Sequence, residues 1–329
     1  MSQEIQANPL PSLSVVLPNF NHAEHLALCL ESILSQSVQP KEVIVIDDAS
    51  TDNSVDIIES LARSHPVVRF FKNEKNLGAV PSFNRGIDLA TGDFLVMVAA
   101  DDVVRPGYFE KALGLLGQHP QAGVCAAICE FRDMQSGLTW FLGQSMGGEA
   151  RYFAPDEVVR LAARGKLLLA TGAMIVKRTA FLEVGKYRPD LEWHCDWFAY
   201  FSVAFRHGIC FAPEVLAEFR LYKGSYSNKG MRQPDRQRAV LRRLVETLEQ
   251  PEFRDVAEQF RQCGALSPFG RPMFALLAGN RRYWKYLTPT YLRAAAWWTV
   301  KYAARRMLPD SVAGFCLRLF GYQKLPRAG

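Results

Sequence analysis

Two pairs of adjacent acids carry the most specific chemistry in the sequence. Asp47-Asp48 follows the apolar run VIVI at 43–46, and Asp101-Asp102 follows FLVMV at 94–98 with two alanines between. Paired carboxylates are the donors that hard divalent cations such as Mg²⁺ or Mn²⁺ select, and such cations bridge carboxylates to phosphate oxygens. Asp101-Asp102 is the stronger pair on this ground. A plainer reading stands beside it, because acids behind a strand also cap helices. Residue type and spacing leave both readings open.

Presenting the acids at one edge requires short strands that end where the acids begin. Residues 14–17 (SVVL) and 43–46 (VIVI) have the continuous apolar character of strands buried on both faces. Between them, 25–36 places Leu26, Leu30, Ile33 and Leu34 at helical spacing. A second helix starts near Ser50-Thr51-Asp52, good capping residue types, with Val55, Ile57, Ile58 and Leu61 as its apolar positions. A strand at 67–71, a turn at 73–78, a helix at 81–90 and a strand at 94–98 follow, the last leading into Asp101-Asp102. Further on come a helix at 108–116, a strand at 123–129, a polar excursion at 132–149, a helix near 155–169 and a strand at 173–177. The alternation predicts an α/β fold with a doubly wound, mostly parallel sheet, which binds ligands at the carboxyl ends of its strands.

The ordered set Val15-Val16-Leu17-Pro18-Asn19-Phe20-Asn21, then VIVIDDASTDNS, then NEKNLGAVPSFNRGIDLATGDFLVMVAADD resembles the nucleotide-binding half of glycosyltransferase family 2. Weaker similarity continues through Thr171-Gly172-Ala173-Met174, 181–185, Cys195-Asp196-Trp197 and 219–225, and fades beyond Ser227. The resemblance implies a GT-A fold, Rossmann-like, with a helical C-terminal extension. It also implies inverting transfer from a nucleoside diphosphate sugar, with a divalent cation as cofactor. By resemblance, Pro18, Asn19 and Asn21 form the first nucleotide loop, and Asp47 accepts a hydrogen bond from the base. Asn76, Gly78 and Asn84 shape the base and ribose pocket. Ala100 and Arg220 line the donor site, and Asp101 and Asp102 hold the metal. Asp196 falls where the family carries its catalytic base. Its aromatic neighbours Trp197 and Phe198 would desolvate it and raise its pKa, while the plainer reading makes it a helix cap. His194 reads as a surface or packing residue.

The sequence departs from the family pattern in several places. Ala99 stands where a further acid completes the usual D-x-D, Cys195 stands in place of an acid, and Tyr222 occupies a position where relatives often carry histidine. Arg220 and Lys223 are placed to neutralise phosphate charge. A non-catalytic nucleotide-sugar-binding protein of GT-A fold is therefore the alternative reading.

The expected organisation is an N-terminal tail at 1–12 and a catalytic domain at 13–223, divided at 104/105 into nucleotide and acceptor halves. A seam near 224–235 then leads into a basic, aromatic-rich helical region at 224–329. Of the net charge of +6, residues 230–329 hold about 18 Lys and Arg against 7 Asp and Glu. That third attracts anions, and no nucleic-acid motif accompanies it, so nucleic acid is not an expected partner. Basic and aromatic residues are mixed over 281–306, with Tyr291, Trp298 and Tyr302 within an arc of roughly 40° on a helix. A peripheral membrane contact explains this mixture, and so does packing on the catalytic domain or on a partner subunit. The seven cysteines are scattered without a C-x-x-C pair, as expected of reduced thiols. With no apolar leader or spanning run, the expected location is cytoplasmic, at the inner face of the cell membrane, near a glycan or lipid-linked acceptor.

Overall fold

The computed structural model describes residues 10–167, 169–222 and 233–307, the last seven by their backbone alone. Its first half alternates β1 (Leu13–Asn19), α1 (Ala23–Leu34), β2 (Glu42–Asp47), α2 (Ser54–Ser64), β3 (Val68–Lys72), α3 (Ala79–Leu89) and β4 (Phe94–Met97). Every residue of β2 and β4 is buried, which requires cover on both faces of the sheet. Successive residues serve opposite sides: Val16, Ile44, Ile46 and Leu95 belong to one core cluster, and Val15, Val43, Val45 and Val96 to the other. Helix α3 lies so close to β1 that a Cβ on Gly86 would sit 2.3 Å from Val16 Cγ1.

The second half adds β5 (Val103–Val104), α4 (Tyr108–Gln118), β6 (Val124–Asp133), β7 (Thr139–Leu142), β8 (Arg151–Phe153), α5 (Pro155–Ala163), β9 (Met174–Lys177), α6 (Arg178–Glu183), α7 (Cys195–His207) and β10 (Ile209–Leu221). The strands of both halves join one sheet, ordered β3-β2-β1-β4-β9-β6-β10-β5, with β7 on β6 and β8 on β10. Strands β1 to β4, β6 and β10 run in one direction, and β9 is inserted antiparallel to β4 and β6.

Several expectations are revised. The polar excursion after 132 contains β7, which pairs with an extended β6. Helix α5 ends at Ala163, six residues short of the expected limit. The long β10 is interrupted in register between Ala212 and Val215 and again before Ala217, around Pro213. That irregularity hides it from a search for unbroken apolar runs.

Helices α8 (Pro234–Leu248), α9 (Arg254–Cys263), α10 (Gly270–Ala278) and α11 (Pro289–Met307) complete the described chain. Leu241, Leu244, Val256 and Phe260 share a core cluster with Phe198 and Phe205 of α7. The expected seam falls largely on residues 223–232, outside the described residues. The cysteines at 29, 125, 129, 195, 210 and 263 are free and buried, and Cys316 lies outside the described residues. In α11, Tyr291 points into the core, so the expected aromatic arc begins on the inward face. The outward face shows Leu292, Trp297 and Val300 instead.

Candidate active site

The carboxyl ends of β1 and β2 build one loop cluster. Asn19 Nδ2 donates to Asp47 Oδ1 at 3.0 Å and to Ser50 Oγ at 3.1 Å. Ser50 N–H donates to Asp47 Oδ2 at 3.0 Å. Asp47 therefore has both oxygens engaged and no exposed surface, so in this structure it shapes the loop and does not present a free carboxylate. Asn21, at φ 56°, accepts from Thr51 N–H at 2.8 Å, which ties the first loop to the second. Asp52 is not the α2 N-cap residue, which is Asn53. Its carboxylate instead accepts from Ser54 N–H at 3.0 Å and Ala23 N–H at 2.9 Å, joining the starts of α2 and α1.

Asp48 organises the next wall. Its oxygens accept from Asn73 Nδ2 at 2.6 Å, Leu77 N–H at 2.9 Å and Gly78 N–H at 2.8 Å. This folds 73–78 back onto β2 and leaves Asn76 and Leu77 exposed. Gly78 adopts φ 93° as α3 begins, a left-handed backbone that glycine takes without steric cost. Asn84 is not free to line a pocket, because its amide donates to Tyr187 O at 2.7 Å and accepts from Tyr187 N–H at 3.2 Å.

Beyond β4 the chain turns at Ala99 and Ala100, and Asp102 N–H donates to Ala99 O at 3.0 Å. Ala100 is 2% exposed and contributes backbone to that turn. Asp101 is partly exposed and makes no hydrogen bond or ion pair among the described residues. Asp102 is buried, with Oδ1 accepting from Arg220 N–H at 3.0 Å and Oδ2 without a partner among the described residues. Burial, then the neighbouring charge of Asp101, pushes the Asp102 carboxyl well above its ordinary range. A cation beside these acids would reverse that cost. No cluster of three or more metal-ligating side chains exists among the described residues. Two carboxylates, one with an unpartnered oxygen, would suit a hard cation that takes further oxygen ligands from phosphate or water.

Two aromatic rings and an ion cluster border these acids. Tyr222 stacks on His25 with centroids 4.7 Å apart. Burial raises its phenol pKa; Arg220 opposes this, and the charges of Asp101 and Asp102 add to it, so Tyr222 sits within electrostatic reach of both acids. The Arg220 guanidinium is already paired, with Nε 3.1 Å from Glu218 Oε1. Lys223 lies outside the described residues.

Asp196 lies in the first turn of α7, whose N-cap is His194. Its Oδ2 accepts from Thr171 Oγ at 2.5 Å and its Oδ1 from Trp197 N–H at 2.6 Å. Burial raises its pKa, and these hydrogen bonds offset the rise only in part. His194 is a packing residue, lying against Phe269, and burial lowers its pKa to about 4. The preceding turn holds Glu192 at φ 47° and ψ −120°, a backbone that costs about 1–3 kcal/mol in a residue with a side chain. Ion pairs to Arg236 at 2.7 Å and Arg243 at 3.7 Å hold Glu192 to α8.

Phe219 joins the two sets of acids. The N–H of the next residue holds Asp102, and the Phe219 ring packs on Gly172, where a Cβ would come within 2.7 Å of it. Gly172 is adjacent to Thr171, the hydrogen-bond donor to Asp196. Thr171 and Phe219 are site residues to which sequence reasoning gave no role, and Asp48, read there as half of an acid pair suited to a cation, instead uses both oxygens to hold Asn73, Leu77 and Gly78. The motif TGAM was visible, and a hydroxyl one residue before its glycine was the available signal.

Residues 14–180 match the family described as Glycosyl transferase family 2. The uncharacterized glycosyltransferase YibD of Escherichia coli (strain K12) is 37% identical over 134 residues, 40% of this chain and 38% of its own length. The chain therefore matches well under half of that relative. Among solved structures, Staphylococcus aureus TarS 1–349 in complex with UDP-GlcNAc superposes with a TM-score of 0.60 at 18% identity, covering 86% of this chain and 79% of that one. The mannosyltransferase PcManGT from Pyrobaculum calidifontis, in complex with GDP-Man and Mn²⁺, gives 0.53 at 18% identity, covering 87% and 86%. These superpositions show the expected fold, a GT-A sheet flanked by helices with a helical C-terminal region.

Proposed function

The chain belongs to glycosyltransferase family 2, and from that premise we propose that it is an inverting glycosyltransferase using a nucleoside diphosphate sugar. The observation that carries this reading is the convergence of Asp102 and Asp196 on Phe219-Arg220 and the adjoining Thr171-Gly172. This chain of contacts links a candidate metal carboxylate to a candidate base from the other half of the chain, which supports the reading.

In this reading the loops at 18–21, 47–50 and 76–78 frame the nucleoside, with Phe20 and Leu77 offering exposed apolar surface to the base. Asp101 and the unpartnered oxygen of Asp102 would hold the cation. A divalent cation bound there would neutralise the diphosphate charge. Asp196 takes the proton of an acceptor hydroxyl. The hydroxyl oxygen bonds to the anomeric carbon as the bond to the diphosphate oxygen breaks, and the nucleoside diphosphate leaves from the opposite face. One carboxylate suffices, whereas glycosidases use two. TarS and PcManGT, with their bound nucleotide sugars, support the donor class.

The acceptor in this proposal is a glycan or lipid-linked glycan made at the cytoplasmic face of a membrane. Trp284 (55% exposed), Leu292 (46%) and Val300 (61%), near Arg281, Arg282 and Arg293, support a peripheral contact with anionic lipid headgroups. No helix among the described residues is long and apolar enough to cross a membrane. Co-sedimentation with anionic but not zwitterionic vesicles is the expected result, and failure to bind either would remove this contact.

The donor is tested by thermal shift with UDP-, dTDP- and GDP-sugars in the presence and absence of Mn²⁺. One of them should stabilise the protein in a Mn²⁺-dependent manner, because a ligand selective for the native state raises its stability. Failure of every nucleotide sugar to shift the transition would refute the reading.

A further inference from the structure

A row of three aromatic rings crosses the carboxyl end of the sheet. Phe219 of β10 pairs with Phe131 of β6, which pairs with Trp140 of β7. Ring centroids are 5.1 Å apart between Phe219 and Phe131 and 5.6 Å apart between Phe131 and Trp140, with interplanar angles of 19° and 15°. Each residue is partly exposed. The rings of Phe219 and Phe131 cover one another, but the row ends on β7, which among the described residues pairs only with β6. Among the described residues, no other ring stacks on Trp140. Its indole N–H has no hydrogen-bond partner among them either, and it is not a buried orphan.

We propose that Trp140, backed by Phe131 and Phe219, is an acceptor subsite that binds a sugar ring of an oligosaccharide. This rests on the glycosyltransferase reading and adds the acceptor class to it. An aromatic face beside an unpaired N–H matches a pyranose, which presents an apolar C–H face and hydroxyls at its rim. A lipid chain would cover the ring and leave the N–H without a partner.

The inner end of the row abuts Gly172, beside the Thr171 that binds Asp196, so the row leads away from the candidate base. Trp140 stands two ring positions further out. The sugar it holds is therefore not the one that reacts, and the acceptor has at least two units.

The test is binding of the full chain to an array of defined mono- to hexasaccharides that also carries polyprenyl phosphate, using wild type, Trp140→Ala and Trp140→Phe. The expected result is retention on oligosaccharides but not monosaccharides. That signal should fall about tenfold or more in Trp140→Ala, with an intermediate loss in Trp140→Phe, which keeps the ring and lacks the N–H. Wild-type binding to no oligosaccharide, equal binding by Trp140→Ala, or binding only to polyprenyl phosphate would overturn the proposal. Thermal shift by nucleotide sugar, measured on the same three proteins, verifies their folding. Loss of that shift in wild type would refute the glycosyltransferase reading, whereas a normal shift without oligosaccharide binding refutes only the acceptor subsite.

Discussion

The backbone N–H of Arg220 donates a 3.0 Å hydrogen bond to Asp102 Oδ1. A main-chain donor near the end of β10 thus fixes one oxygen of a carboxylate in the turn after β4, while the other oxygen is buried and has no partner among the described residues. Asp101 beside it has no partner among the described residues and is partly exposed. The division of labour follows: Asp102 is held in place by the fold, and Asp101 is free to reorient toward a cation.

Asp101→Asn should therefore weaken the Mn²⁺ dependence of donor binding by about tenfold or more, since a hard cation loses a charged ligand. Stability without ligand should be unchanged. Mn²⁺ titration with the stabilising nucleotide sugar, followed by thermal shift, provides the check.

Thr171→Val removes a hydrogen bond that favours the charged form of Asp196. The carboxyl pKa, already raised by burial, should rise further. The acid limb of the rate profile should move to higher pH, with about a tenfold loss near that limb and little change above it. Thr171→Ser should restore the profile.

Gly172→Ala would place a Cβ within 2.7 Å of the Phe219 ring. Pushing that ring disturbs the strand that holds Asp102. Turnover should fall at least tenfold for a stability cost of about 1–3 kcal/mol, read from chemical denaturation.

Glu249 anchors the C-terminal helices by accepting from Lys285 Nζ and Tyr286 Oη, each at 2.7 Å. Burial alone would raise its pKa, but these bonds outweigh burial and lower it. A carboxyl whose folded pKa is depressed adds stability above its unfolded pKa and loses it as pH falls through the folded value. Glu249→Ala should cost about 2–3 kcal/mol at neutral pH, with a smaller difference from wild type in acid.

The nucleotide half was legible because its strands are short, unbroken and buried on both faces, so β1, β2 and β4 follow from apolar runs alone. Asp101 and Asp102 follow from their place behind β4. Less of the acceptor half was legible. Pro213 and two register shifts break β10, and β7 is a four-residue edge strand inside a polar stretch. Asp47 illustrates a further limit. Its position was readable, but only the three-dimensional structure shows Asn19 and Ser50 occupying both of its oxygens. Thr171 and Asp196 are brought together by tertiary packing, which no local pattern records.

Asp196→Asn, compared with wild type for donor binding and for release of nucleoside diphosphate in the same preparation, is the most direct test of the central claim. Between its unfolded and raised folded pKa, the native protein holds a proton that the unfolded chain has lost, so an ionised Asp196 lowers stability as pH rises. The asparagine variant should therefore be at least as stable as wild type at neutral pH and bind donor equally well. Its turnover should fall by about a thousandfold or more. Wild-type turnover in that variant would contradict the assignment of Asp196 as the base and with it the proposed site.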